Sequence, residues 1–454
     1  SHSGIHKLGA VYISIPCIPP HHQSFLNTIF LALLFHSSDR VKFGNNVIFN
    51  PLIDELNYLR DTGVYISTDN FKGTIQFELG VIVGDNLGVH SITGFVESFS
   101  SNYPCRICKM RKEDIQKQCT VNNNLIRTVK QYNLDVSEGD VSSSGIKEAC
   151  IWHKVLGFNV LEQVGMDIMH DILEGVGKYD LAFLISYYVE DLKIFTLQVL
   201  NERIVCFDYW PDRGSKPCVL HIEHLRKINI RLSASETMSL IRYFGLLIGY
   251  FVPLNDPVWC LYILLRQIID IITSTPLQVG CCELLQTLVS EHNDIYIKIY
   301  SHKKLKPKYH FMLHYHTIIK KLGPLPNIID SLDSLKQCTW ICIKGTKYQS
   351  KMVLTLDIDE NNLPKFGIID DIYLCNNKII VFRCLSIKTI IFYEHYFSYE
   401  IKHENRIVFV YHQILFSHIP NNISVMPNGC TYVTLRSIND QEFSFKNKVV
   451  EVIV

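Results

Sequence analysis

Asp85, Cys105, Cys108, His310 and His314 are the side chains whose types and spacing could carry chemistry in this chain. Asp85 closes the run Gln76-Phe-Glu-Leu-Gly-Val-Ile-Val-Gly-Asp85. A carboxylate at a strand end projects from a rigid element, and Mg²⁺ takes one or two carboxylates together with phosphate oxygens and water. The same residues, Gly84-Asp-Asn-Leu-Gly88, also make a good turn after a strand. Cys105 and Cys108 form a C-x2-C pair in a basic loop with Arg106, Lys109, Arg111 and Lys112. His310 and His314 are four apart and share one face if helical, with His316 as a spare. Two Cys and two His make a tetrahedral zinc set. The competing readings are a redox or coincidental cysteine pair and an exposed histidine face.

Glu174 lies in Met166-Asp-Ile-Met-His170-Asp171-Ile-Leu-Glu174-Gly175. In an α-helix His170 and Glu174 share a face beside Asp171, which suits either a metal or acid/base cluster or a polar face above Ile168, Met169, Ile172 and Leu173. Lys303, Lys304, Lys306, Lys308, Lys320 and Lys321 flank the histidines. Such a run is either a solvated face or a sequence-independent contact to a DNA backbone.

These residues need elements to hold them. Leu8–Ile18 is apolar and β-branched and is predicted as a strand ended by Pro16, Pro19 and Pro20. Thr28–Phe35 fits strand or helix. Asn50 and Pro51 read as the N-cap and first residue of a helix running to about Arg60. Thr74–Gly84 is expected to be the strand that presents Asp85, and Val89–Ser98 a short amphipathic helix. Ser137–Lys147 has the Gly/Ser/Asp character of a flexible linker. Residues 151–325 read as mainly helical, with Met166–Val176, Leu192–Val205, Ser235–Phe251, Trp259–Thr273 and Cys281–Tyr300 at helical spacing. From Ser350 onward short β-rich runs split by Asn, Asp and Gly predict a small all-β barrel or sandwich.

The resulting division is 1–100, 101–335 and 336–454. The first part, read as strand, strand, helix, strand ending in Asp85, helix, is compatible with an α/β ribonuclease-H-like core that lacks its first strand. A large helical insertion and a C-terminal all-β module would follow.

With 454 residues, 47% apolar and 19% charged, the chain can bury a large core. Lys+Arg and Asp+Glu are 44 each, so a polyanion partner must use local basic patches. Fifteen scattered cysteines and no signal-like segment point to a reducing compartment, nuclear or cytoplasmic, and not to secretion. Met238–Thr273 is interrupted by Arg242, Asp256, Arg266 and Asp270, so no membrane span is expected. The opening Ser1-His-Ser-Gly-Ile-His6 reads as mid-protein sequence, as in a fragment. Homo-oligomer formation is left open.

Taken in order, Gly84-Asp-Asn-Leu-Gly88, His90-Ser-Ile-Thr-Gly-Phe95, Tyr103-Pro-Cys-Arg-Ile-Cys108, Met166–Val176, Lys308-Tyr-His-Phe-Met-Leu-His314 and Leu322-Gly-Pro-Leu325 resemble a DDE transposase of the CACTA (En/Spm-like) group, in its animal form. The resemblance is collinear over about residues 1–325. It implies a ribonuclease-H-like domain in which three acids hold two Mg²⁺ ions for strand cleavage and transfer, with Asp85 as the second acid. It also implies zinc on Cys105, Cys108, His310 and His314, and DNA as partner through backbone contacts from Lys303, Lys304, Lys306 and Lys308. The family's first acid would precede Ser1. The third is expected after Gly-Pro-Leu in an Arg-Phe-Glu-like context, where Asn327–Lys336 contains no Glu. An internal deletion or altered splice near 326–336 is the implied cause. Asp330, Asp333 and Glu174 are the weaker substitutes, and the expectation is a catalytically defective core.

Overall fold

The structure is a computed structural model that describes residues 7–15, 28–209, 212–273, 280–301, 303–322, 336–343, 345–375, 379–427 and 429–436. It mixes helix and sheet and divides into two compact units. The first holds the described residues up to Asp167 together with Lys303–Gly323; the second holds those within Ile168–His302 and Pro324–Val454. The divisions fall at 167 and 303, where the sequence suggested 100 and 335.

In the first unit, β1 (Leu8–Ser14) pairs antiparallel with β2 (Ile29–His36), so the ambiguous second run is a strand. Val11, Ile13, Leu33 and Phe35 face a core built on Phe49, Leu52, Phe95, Trp152 and Phe158. Helix Ser37–Asp61 follows directly. It starts 13 residues before the expected Asn50 cap and bends at Gly44, whose φ of 79° takes it out of helical geometry. Pro51 is therefore an interior residue. Burial of Asn45 and Phe49, both before the proline, favours the longer helix: Asn45 Nδ2 donates to the Ser91 carbonyl at 2.8 Å.

The strand expected at Thr74–Gly84 is also corrected. β3 (Val64–Ser67) and β4 (Lys72–Ile75) form a hairpin, and residues 76–84 follow without regular secondary structure. There they find one bridge, Ile82 parallel to Val164. A single bridge makes no ladder, so Asp85 does not end a sheet strand. Ser137–Lys147 is structured rather than a linker. Gly139 and Gly145, at φ 65° and 71°, terminate helices Val129–Glu138 and Val141–Ser144, and Asp140 caps the second. Those Gly and Asp residues stop and start helices at the positions where each is favoured, and Ile146 is buried against the same core.

In the second unit, helices Leu197–Cys206, Ala234–Ile248, Pro257–Ile272 and Cys281–Ile299 fall where helical spacing placed them, and Gly177–Ser186 is a further helix. Met169–Val176 is a π-helix. After the short strands β5 (Lys336–Cys338), β6 (Trp340–Ile343) and β7 (Thr346–Gln349), the tail is a closed antiparallel barrel of six strands: β8 (Val353–Ile358), β9 (Pro364–Cys375), β10 (Ile379–Tyr393), β11 (Ser398–Tyr411), β12 (Ser417–Val425) and β13 (Thr431–Thr434). The ring runs β8, β9, β10, β11, β13, β12 and back to β8. Phe382, Cys384, Ile369 and Leu354 lie in one of its cores.

Helices and barrel of this unit are tied by a buried cation network. Asp212 accepts from Arg436 at 2.6 Å, Arg242 at 3.1 Å and the Tyr243 hydroxyl at 2.9 Å. No helix among the described residues is long and apolar enough to cross a membrane.

Candidate metal centre

Cys105 and Cys108 stand on a short knuckle. Cys108 bridges antiparallel to Ile126, Lys109 N–H donates to the Leu125 carbonyl at 2.7 Å, and Arg127 N–H to the Ile107 carbonyl at 3.0 Å. The Ile107 N–H points at Cys105 Sγ, 3.3 Å away. His310 and His314 come from helix Pro307–Leu322, one turn apart on the same face, as their spacing predicts.

The two pairs meet. The four ligand atoms lie within 4.8 Å of one another, and all four residues are buried. Cys108 Sγ is 3.2 Å from His310 Nε2, which is 3.2 Å from His314 Nε2. His310 Nδ1 faces Gln118 Oε1 at 2.9 Å. An amide oxygen there accepts, so Nδ1 carries the proton and Nε2 offers its lone pair to the cluster. This group could hold a metal ion. His316 is not part of it; its Nδ1 faces the Leu313 carbonyl and its Nε2 the Thr317 hydroxyl.

The electrostatics suit a thiolate centre. Burial alone would raise the Cys105 thiol, but the Cys108 hydrogen bond and then His314 and His310 outweigh it and hold Cys105 well below the ordinary thiol value. That hydrogen bond and burial push Cys108 up. Burial lowers His310, against the opposing pull of Cys105. Met110, Ile115 and Phe311 close an apolar shell around the cysteines.

Two buried arginines stand at the knuckle, and sequence reasoning singled out neither: Arg127 braces it, whereas Arg106 bonds to Asn86 and Gly165 instead. Arg127 donates to the Cys105 carbonyl at 3.0 Å and the Ser144 carbonyl at 2.7 Å, and stands 3.7 Å from Asp135. Arg106, read as one charge of a basic loop, is 3% exposed. Its position between two buried ligands was the signal that could have found it.

Asp85 is exposed and is the N-cap of helix Asn86–Thr93; its Oδ1 accepts from Gly88 N–H at 2.7 Å. Glu174 belongs to the second unit and stands 4.0 Å from Lys178. Its helix is π rather than the α-helix that the spacing assumed. Among the described residues neither carboxylate belongs to a group of three or more potential ligands. Asp330 and Asp333 lie outside the described residues.

Lys303, Lys304, Lys306 and Lys308 lie around the start of the histidine helix. Burial and then the charges of Lys308 and Lys303 lower Lys306, which marks a cluster of like charge. No protein-family model matches this chain, and no curated protein matches it.

Proposed function

We propose that this chain is a transposon-derived, DDE transposase-like protein whose core is stapled by structural zinc and defective in two-metal catalysis, and which holds DNA through its phosphate backbone. The observation that carries the reading is the meeting of Cys105 and Cys108 with His310 and His314 in one buried set. Zinc at its usual Zn–N length of about 2.0–2.1 Å sets two tetrahedral imidazole nitrogens roughly 3.4 Å apart. The 3.2 Å between His310 Nε2 and His314 Nε2 fits that edge. Four buried protein ligands leave no open position, which suits a staple rather than a catalytic zinc.

Within this reading the first unit is the remnant of a ribonuclease-H-like core, supported by the order of hairpin, helix and extended segment ahead of Asp85. Two-metal cleavage needs carboxylates that converge on the same ions. Asp85 caps a helix and joins no carboxylate cluster among the described residues. Mg²⁺ would be taken up at Asp85 only in an active form. The like-charged Lys303, Lys306 and Lys308 supply a field for a polyanion.

A second reading is a non-enzymatic protein-interaction module. The outer wall of the barrel favours it, where Ile407, Phe409 and Tyr411 on β11 and Ile414 beyond it are exposed.

The test joins metal analysis to binding. Purified protein is expected to carry one equivalent of zinc, lost in Cys105→Ser/Cys108→Ser and in His310→Ala/His314→Ala. Duplex DNA is expected to bind with an affinity that falls steeply with salt, and Mg²⁺ to produce no nicking. Affinity that ignores salt would defeat the DNA part. Zinc retained by the histidine variant would defeat the staple. A protein partner captured by a zinc-loaded chain that ignores DNA would favour the second reading.

A further inference from the structure

Arg106 lies between the two cysteines, and its side chain runs away from them into the interior of the first unit. Nη1 donates to Asn86 Oδ1 at 2.7 Å and stands 3.4 Å from His90 Nε2. Nη2 donates to the Gly165 carbonyl at 2.8 Å and lies 3.2 Å from Met166 Sδ. The guanidinium also sits 5.9 Å from the ring of Phe311, the residue beside His310.

These partners have one thing in common. Asn86 is the first residue of the helix that Asp85 caps. Gly165 is bonded to the backbone just before Asp85, its N–H donating to the Ile82 carbonyl at 2.9 Å. One planar fork therefore holds both the start of the Asp85 helix and the segment that supports the approach to it. His90 completes the contact as a neutral ring: Nδ1 faces the Val96 carbonyl at 2.8 Å, which leaves Nε2 as an acceptor toward Arg106.

We propose that Arg106 is a positioning residue that couples the metal centre to the Asp85 turn, so that the turn takes its fixed position only when the knuckle is closed on its metal. This rests on the metal reading of Cys105, Cys108, His310 and His314, and not on the transposase reading. The physical reason is leverage. Both neighbours of the Arg106–Ile107 dipeptide are ligands, so chelation fixes the backbone from which the guanidinium reaches. When the knuckle opens, the fork loses its aim and its two ends no longer meet Asn86 and Gly165 together. A lysine cannot replace it, because a single ammonium offers no rigid pair of donors to two acceptors.

Backbone hydrogen exchange on the full chain, with metal content measured in parallel, tests this. In the wild type, metal removal by a chelator is expected to accelerate exchange of residues 84–95 as well as 105–110. Arg106→Lys is expected to keep the metal, with an unchanged tetrahedral Co²⁺ spectrum, and yet to accelerate exchange of 84–95 on the order of tenfold or more. Asn86→Ala is expected to act on the same residues, and the double variant to add nothing beyond either single one. Wild-type exchange in Arg106→Lys, or no change at 84–95 when metal leaves, would overturn the coupling. So would loss of metal from Arg106→Lys, since Arg106 would then be building the knuckle rather than transmitting its state. If wild-type protein holds no metal, the metal reading falls on that result alone, and equal exchange of Arg106→Lys and wild type would separately remove the Arg106 link.

Discussion

Cys108 Sγ and His310 Nε2 stand 3.2 Å apart although 202 residues of chain separate them. The contact fixes which nitrogen of His310 faces the cluster, and Gln118 fixes the other at 2.9 Å. An amide that accepts from a ligating histidine sets its tautomer and raises its basicity. Gln118→Ala is therefore expected to weaken zinc affinity by about 10–100-fold in competition with a chelator. Gln118→Glu, which keeps an acceptor at that place, is expected to stay near the wild type. Equal affinity in Gln118→Ala and wild type would show that Gln118 does not orient the ring.

Asp85 makes a prediction that separates its structural work from any chemical role. As an N-cap it satisfies Gly88 N–H at the start of Asn86–Thr93. Asp85→Ala is expected to lower stability by about 1 kcal/mol, and Asp85→Asn by much less, because asparagine caps almost as well. Zinc content is expected to be unchanged in both. Denaturant midpoints measure the two costs; an asparagine variant as unstable as the alanine one would mean that the carboxylate is engaged in something other than capping.

How far the sequence was readable follows from how local each signal is. The C-x2-C pair and the H-x3-H pair are local spacings, and each was legible alone. Helices such as Pro257–Ile272 were legible from the helical spacing of Trp259–Thr273, while the cap at Asp256 was read only as a break in an apolar stretch. Asp85 misled because an apolar, β-branched run has the same local pattern whether or not a neighbouring strand pairs with it, and residues 76–84 find only the Ile82–Val164 bridge. β12 carries a proline, which disfavours a strand, yet Pro420 lies in the register shift between Ser417 and Asn421, where a missing N–H breaks no ladder bond. Arg106 and Gln118 act through partners distant in sequence, Asn86 and His310, and no local pattern marks such pairs.

His90 sets a pH dependence. It is fully buried, and burial, reinforced by the Arg106 and Arg127 charges, lowers it from 6.5 to about 4. A folded value below the unfolded one means that the unfolded chain binds a proton first as pH falls. The His90 contribution is thus fully present above about pH 6.5, is lost progressively toward pH 4, and amounts to roughly 3 kcal/mol at most. Stability measured from pH 7.5 to 4 is expected to fall more steeply in the wild type than in His90→Gln. Parallel slopes would place the titration elsewhere.

Gly245 decides how closely the second unit's helices approach the barrel. Gly245 and Gly249 are one turn apart near the end of helix Ala234–Ile248, and both face Tyr396 in the β10–β11 turn. The turn is anchored on the same helices: Trp259 Nε1 donates to the His395 carbonyl at 2.8 Å, and His395 Nε2 faces the Gly249 carbonyl at 2.7 Å. Two effects compete when alanine replaces glycine there. Helix propensity favours alanine by up to about 1 kcal/mol. At Gly245, however, the new Cβ would lie 2.5 Å from the Tyr396 carbonyl oxygen and 2.9 Å from its carbon, both backbone atoms that the anchored turn cannot withdraw. At Gly249 the nearest atom is Tyr396 Cδ1 at 2.8 Å, on a ring that can rotate away. Gly245→Ala is therefore expected to destabilise by about 1–3 kcal/mol net, and Gly249→Ala by less, with the difference read from denaturant midpoints. Equal effects at the two positions would mean that the turn moves as freely as the ring, and that the close approach at Gly245 does not fix the barrel on its helices.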